Sequence, residues 1–198
     1  MLPLILPSSD RQSLRRTLRA RRRALSVFAR KKAARELAHR LAALPALKTA
    51  QHIALYWPVD GEIDTRTLLR HARMTRRKFY LPVLRKFPAN TLAFARWHAG
   101  RALHPNRLGI PEPAGRVTFS ARHMDVILLP LTGFDARGNR LGMGGGFYDR
   151  TLAFRKHGHA HKPVLIGVAH ACQQVDRLES AVWDIPLNQV ATDKHVFR

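Results

Sequence analysis

The chain has 198 residues, 45% of them hydrophobic, which is enough to bury one sizeable core but not two full-sized domains. Its 35 Lys and Arg against 13 Asp and Glu give a formal net charge of +22, so its partners are anionic: nucleotides, polyglutamates, nucleic acid or acidic lipid. A single cysteine, Cys172, excludes an internal disulfide and a multi-cysteine metal site; it reads as a small apolar filler in a reducing compartment, with cytoplasm the expected location.

Met1 to Pro7 is apolar but has no preceding basic region, is broken by Pro3 and Pro7, and is too short for the apolar segment of a signal peptide. No other stretch reaches the roughly 18 uninterrupted apolar residues that a membrane helix requires. A soluble protein without a membrane partner is expected. From Arg11 to Arg40 there are 12 Lys and Arg and one acid, Glu36, so this segment carries +11, half of the net charge. Leu14, Leu18 and Leu25, then Ala33, Leu37, Leu41 and Leu44, keep helical spacing within it. Two helices follow, the second capped by Ser26 and ended by Pro45. Residues 11–44 are therefore a basic helical segment packing on one domain that spans 1–198, and not a disordered tail.

Beyond Pro45 short apolar runs alternate with polar or helical segments. His52 to Val59, Phe79 to Val83, Leu92 to Trp97, Val126 to Leu131 and Val164 to Ala169 read as strands. A helix starting at Asp64 or Thr65 carries Leu68, Leu69, Ala72 and Met74; another follows Phe147, with Leu152 and Phe154 on one side. Arg101 to Gly115 and His157 to Lys162 read as surface loops. The alternation predicts an α/β fold with a mainly parallel, covered sheet.

The most informative segment is Gly138 to Arg150, GNRLGMGGGFYDR, which follows a strand and its connection. Gly142, Gly144, Gly145 and Gly146 leave backbone amides without side-chain cover, and such amides can converge on phosphate oxygens. The next helix would add its positive end, and Asp149 can hold a magnesium ion bridging phosphates. A flexible turn, with Asp149 complementing the helix dipole, is the plainer alternative. Neither GxxxxGK[ST] nor a complete GxGxxG is present, because Phe147 stands where the third glycine belongs.

Arg11 and Arg15 are four residues apart, on one helix face that either grips a polyphosphate or faces solvent. Trp57, Asp60, Glu62 and Asp64 follow the first strand, where open α/β sheets present side chains to a crevice. Asp64 is placed to cap a helix, and Glu62 either accepts hydrogen bonds from a pterin-like ring or is solvated. Asp184, in Trp183-Asp184-Ile185-Pro186-Leu187, either meets a cation or forms a turn before the proline. His157, His159 and His161 alternate but lack the spacing and partners of a metal site. A nucleic-acid-binding module is a competing class, but no RRM or KH signature and little aromatic interleaving accompany the basic run.

Together these stretches resemble the 5-formyltetrahydrofolate cyclo-ligase family: RQSLR at Arg11 to Arg15, DGEIDT at Asp60 to Thr65, NRLGIPEP at Asn106 to Pro113, DVILLPLTGFD at Asp125 to Asp135, RLGMGGGFYDR at Arg140 to Arg150, and WDIPL at Trp183 to Leu187. The resemblance implies a single-domain three-layer α/β/α sandwich. It also implies ATP- and Mg2+-dependent conversion of 5-formyltetrahydrofolate to 5,10-methenyltetrahydrofolate; the expected partners are these small molecules, and a monomer is the default expectation. By the same resemblance Arg11 and Arg15 contact ATP phosphates, with Arg15 and Asp149 catalytic. Arg140, Leu141, Gly142, Met143, Gly144, Gly145, Gly146, Phe147 and Tyr148 form the nucleotide loop. Asp149 and Asp184 are magnesium ligands, Trp57 and Glu62 hold the folate, and Phe147 lies beside it. Family members often read RGKGYYD in the loop; here Met143 and Gly145 replace its Arg and Lys, so compensating charge must come from elsewhere.

Overall fold

The computed structural model describes residues 8–115, 117–156, 162–179, 181 and 183–198. Met1 to Pro7 and the alternating His157, His159 and His161 lie outside the described residues. The basic segment forms α1 (Ser8–Arg23) and α2 (Val27–Ala43). Ser26 caps α2, its Oγ accepting the Ala29 N–H at 3.1 Å, which satisfies one of the amides that a helix start leaves open. Pro45 follows the end of α2 and occupies the first turn of a short α3 (Pro45–Thr49), where its missing N–H costs nothing.

The main sheet has seven strands: β1 (His52–Ala54), β2 (Lys78–Leu84), β3 (Leu92–Trp97), β6 (Val126–Pro130), β9 (Val164–Val168), β10 (Gln189–Ala191) and β11 (Val196–Phe197). Their order is β11-β10-β9-β6-β1-β2-β3; all neighbours are parallel except the two edge pairs, β2 with β3 and β10 with β11. The mainly parallel sheet expected from the alternation is thus present, with antiparallel edges. Two ribbons stand apart from it: β4 (Leu103–Pro105) with β5 (Pro111–Pro113), and β7 (Gly133–Phe134) with β8 (Arg140–Leu141).

Period-two alternation sorts the core into two faces. Ile53, Leu55, Leu128 and Ile166 join Leu37, Leu41 and Leu47 of the helical layer, whereas Ala54, Ile127, Leu129 and Leu165 join Leu152, Met124 and Ile185 on the other side. The second covering layer is thin. It contains α4 (Phe147–Thr151) and 3-10 turns at Ala121–His123 and Ala153–Arg155.

Several boundaries differ from the sequence reading. The strand expected over His52 to Val59 leaves the ladder after Ala54, because the chain bends through Pro58 into left-handed Asp60 (φ 54°) and Gly61 (φ 78°). The helix expected after Asp64 is a 3-10 segment, Thr65–Arg70, followed by a 3-10 turn, Ala72–Met74; Asp64 does cap it, accepting the Arg66 N–H at 2.9 Å. Arg101 to Gly115 is a ribbon closed at Asn106, whose side chain accepts the N–H groups of Leu108 and Ile110. β10 and β11, three and two residues long, are too short to show alternation and had no counterpart in the reading.

Leu37 is fully buried in the helical layer. Leu37→Ala should lower the unfolding free energy by about 2–5 kcal/mol in urea titrations, and a loss below about 1 kcal/mol would mean that α2 is not part of the cooperative core.

Candidate active site

The chain runs from β1 outward to β2 and β3, then returns to the other side of β1 as β6. Such a reversal opens a crevice at the carboxyl ends of the strands. At this end of the sheet the segment after β1 and the glycine loop that follows β8 both meet α1.

Arginines hold these parts together. Arg11, Arg15, Arg19 and Arg22 recur at steps of four, four and three along α1, so they form one stripe. Arg22 is fully buried: Nε donates to the Asp60 carbonyl at 2.8 Å, Nη2 to Asp60 Oδ2 at 2.9 Å, and Nη1 to the Leu131 carbonyl at 3.5 Å. Arg19 and Arg23 bind the same carboxylate. Burial pushes the Asp60 carboxyl up, but hydrogen bonds from Arg19, Arg23 and Arg22 outweigh it and bring the pKa to about 2. The left-handed turn at Asp60 is stabilised by this cluster and aims Glu62 inward.

Glu62 is buried beside Arg22 Nη2 at 3.7 Å and accepts the Val59 N–H at 3.2 Å. Burial raises its pKa to about 7, opposed only in part by Arg22 and the Val59 bond. Tyr56 and Tyr148 feel its charge: burial, then Glu62, raises the pKa of each phenol. Trp57 lies edge-on to Trp97 with ring centroids 6.0 Å apart, and Arg66, locked to Asp64 by two hydrogen bonds, stacks 4.1 Å from the Trp57 ring. His170 is buried against the same turn, with Nε2 3.2 Å from the Gly61 carbonyl and Nδ1 without a hydrogen-bond partner among the described residues.

The glycine loop is supported from below by Asp135, whose carboxylate accepts the N–H groups of Arg137, Asn139 and Leu178. Leu141 points into a small cluster with Leu18 and Leu178, so it contributes backbone only. The N–H groups of Met143, Gly144, Gly145 and Gly146 have no acceptor among the described residues. Gly144 (φ 100°) and Gly146 (φ 62°) adopt conformations that other residues rarely reach, as a tight nest of amides requires. Arg15 donates Nε to the Gly142 carbonyl at 2.9 Å, and burial and the neighbouring Arg11 lower its pKa while Asp184 opposes them. The helix after the loop is only five residues long, so the expected dipole contribution is small, and the loop amides and arginines carry the anion-binding capacity.

Arg140 lies outside this nest. Its guanidinium is buried, bonded to Asp149 Oδ1 and to the Ile185 carbonyl, and the Ile185 N–H reaches Asp149 Oδ1 at 3.4 Å. Asp149 and the residue after Asp184 are therefore in contact. Asp184 Oδ2 accepts the Ala181 N–H at 2.8 Å and lies 3.9 Å from Arg11. Asp149 Oδ2 and Asp184 Oδ1 accept no hydrogen bond among the described residues, so each carboxylate keeps an oxygen that can meet a hard cation. Among the described residues no group of three or more His, Cys, Asp or Glu gathers there, so a magnesium ion would be shared with phosphate oxygens and water. No helix among the described residues is long and apolar enough to cross a membrane.

Sequence reasoning did not assign Arg19, Arg22, His170 or Arg150. Continuing the Arg11 to Arg15 spacing along α1 would have found the first two; Arg150 closes the glycine-rich stretch but was given no role, and His170 carries no local signal. Because the folded pKa of Glu62 lies above its ordinary 4.5, the folded chain holds a proton that the unfolded chain has released between those values. That contribution is complete below the interval and lost as pH rises through about 7. The stability of the natural chain relative to Glu62→Gln should thus fall by about 2 kcal/mol from pH 5 to pH 8 in urea titrations, and a pH-independent difference would contradict the burial of an ionisable Glu62.

Residues 7–193 match a model of the 5-formyltetrahydrofolate cyclo-ligase family. The 5-formyltetrahydrofolate cyclo-ligase of Escherichia coli strain K12 is 40% identical over 182 residues, covering 91% of this chain and 98% of that protein. The enzyme of the same name from Haemophilus influenzae is 37% identical over 182 residues, covering 91% and 96%. The NMR structure of Aquifex aeolicus 5,10-methenyltetrahydrofolate synthetase superposes with a TM-score of 0.79 at 31% identity, covering 95% of this chain and 92% of that one. With its fold and nearly its whole length shared with these proteins, the chain belongs to the 5-formyltetrahydrofolate cyclo-ligase family.

Proposed function

We propose that the chain closes 5-formyltetrahydrofolate to 5,10-methenyltetrahydrofolate with ATP and Mg2+, releasing ADP and phosphate. The observation that carries this reading is the run of unpartnered amides from Met143 to Gly146, flanked by Arg15, beside a crevice holding buried Glu62 and half-buried Trp57. Amides and guanidinium meet a triphosphate. Glu62, poised near neutrality, and the Trp57 ring meet the polar edge and flat face of a pterin.

An amide-like formyl oxygen is a weak nucleophile and a poor leaving group. Holding it in line with the γ-phosphate addresses the first problem, and its phosphorylation addresses the second. Nitrogen 10 then closes on the resulting iminium carbon and gives up its proton to solvent, and phosphate leaves with the former formyl oxygen. Charge that develops on the transferring group is met by Arg11, Arg15 and the loop amides. Asp149 and Asp184 hold the magnesium ion, which supplies charge neutralisation when bound. Phe147 lines the boundary between nucleotide and folate.

Mixing the protein with 5-formyltetrahydrofolate, Mg2+ and ATP should produce the methenyl chromophore; an absence of absorbance change with all three present would refute the reading. Asp149→Asn should lower kcat by about 100-fold or more while the circular dichroism spectrum stays unchanged, and unaltered steady-state kinetics would remove Asp149 from the metal site.

A further inference from the structure

The glycine loop contains one cation of its own, Arg140, and that guanidinium is turned inward onto Asp149 and the Ile185 carbonyl. A second guanidinium reaches the loop from outside it. Arg150, on α4, donates Nη2 to the Gly145 carbonyl and Nε to the Asn90 carbonyl at 3.0 Å, and its Cζ lies 5.7 Å from the Phe147 ring. A Cβ placed on Gly146 would come within 2.7 Å of its Nη1, so the guanidinium is seated directly against that glycine. Its partners are backbone carbonyls, and no carboxylate pairs with it among the described residues, so its charge is not cancelled locally. The end of α4 is fixed as well: Thr151 Oγ accepts the Leu92 N–H at 2.8 Å and donates to the Phe147 carbonyl at 2.7 Å, tying α4 to the start of β3.

A trans peptide points its C=O and N–H in opposite directions. Holding the Gly145 carbonyl on the Arg150 side therefore fixes the Gly146 N–H on the other side of the loop. Arg15 does the same for the preceding turn, since its bond to the Gly142 carbonyl sets the direction of the Met143 N–H. We propose that Arg150 is a positioning residue for the nucleotide: its grip on the Gly145 carbonyl aims the Gly146 amide at the polyphosphate, and its uncancelled charge replaces a cation that the loop itself lacks. This rests on the nucleotide-binding reading of the glycine loop given above.

The test compares the natural protein with Arg150→Lys and Arg150→Ala, using Mg-ATP binding by calorimetry without folate, followed by steady-state kinetics. Lys retains charge but cannot span the Gly145 and Asn90 carbonyls together. Both variants should bind Mg-ATP about 10-fold or more weakly and show a similar rise in KM for ATP, with KM for the folate within about two-fold. In Arg150→Ala, added guanidinium ion should restore part of the affinity, and the Gly145 and Gly146 amide resonances should move in the ligand-free protein while those of α2 do not. Full affinity in Arg150→Lys would overturn the peptide-orienting role. Full affinity in both variants would overturn the inference while leaving the nucleotide reading intact, and failure of the natural protein to bind Mg-ATP would remove that reading itself.

Discussion

Three arginines of α1 converge on one carboxylate, and the site depends on that convergence. α1 carries too much like charge to lie against other parts of the protein without a counterion, and Asp60, held ionised by Arg19, Arg22 and Arg23, is that counterion. The bond network fixes the left-handed turn after β1, brings Arg22 to the Leu131 carbonyl at the end of β6, and seals the crevice from the side of the helix. Arg22 is fully buried, so removing Asp60 would leave an uncompensated charge in the interior. The segment that composition marks only as basic is thereby joined to the turn after β1 and to the end of β6.

With α1 anchored, its remaining arginines acquire defined positions. Arg15 lies on the glycine loop and Arg11 beside Asp184, so cations are supplied to the loop from a neighbouring helix. This compensates for a loop that carries uncharged Met143 and Gly145 between Gly142 and Gly146. Met143 Sδ lies 4.0 Å from Arg22 Nη2, and the Gly145 carbonyl is taken by Arg150. Cationic groups therefore border both places. The loop keeps its own amides unencumbered, and the two carboxylates at Asp149 and Asp184 are joined through Ile185.

Much of this was legible in the sequence because the signals are local. Ser26 and Asp64 act as the caps their residue types imply, the long apolar runs at Leu92 to Trp97 and Val126 to Leu131 are strands, and the glycine cluster is an open loop. The illegible parts depend on distant partners. Asp60 and Arg22 are 38 residues apart, and Arg150 and Asn90 60 apart, so no window of sequence contains either pair. Arg140 belongs to the loop by motif but bonds to a segment 45 residues away. β10 exists because β9 offers it an edge, and β11 because β10 does in turn, since their own few residues hold no pattern.

The central claim is that the bare amides of the glycine loop receive the triphosphate. Amide resonances of isotopically labelled protein, followed during titration with magnesium and a non-hydrolysable ATP analogue, test it most directly. The account predicts large, saturable downfield shifts at Met143, Gly144 and Gly146, with Leu141 nearly still because its backbone is tied into the β7–β8 ribbon. Saturable shifts confined to residues outside the loop would contradict it.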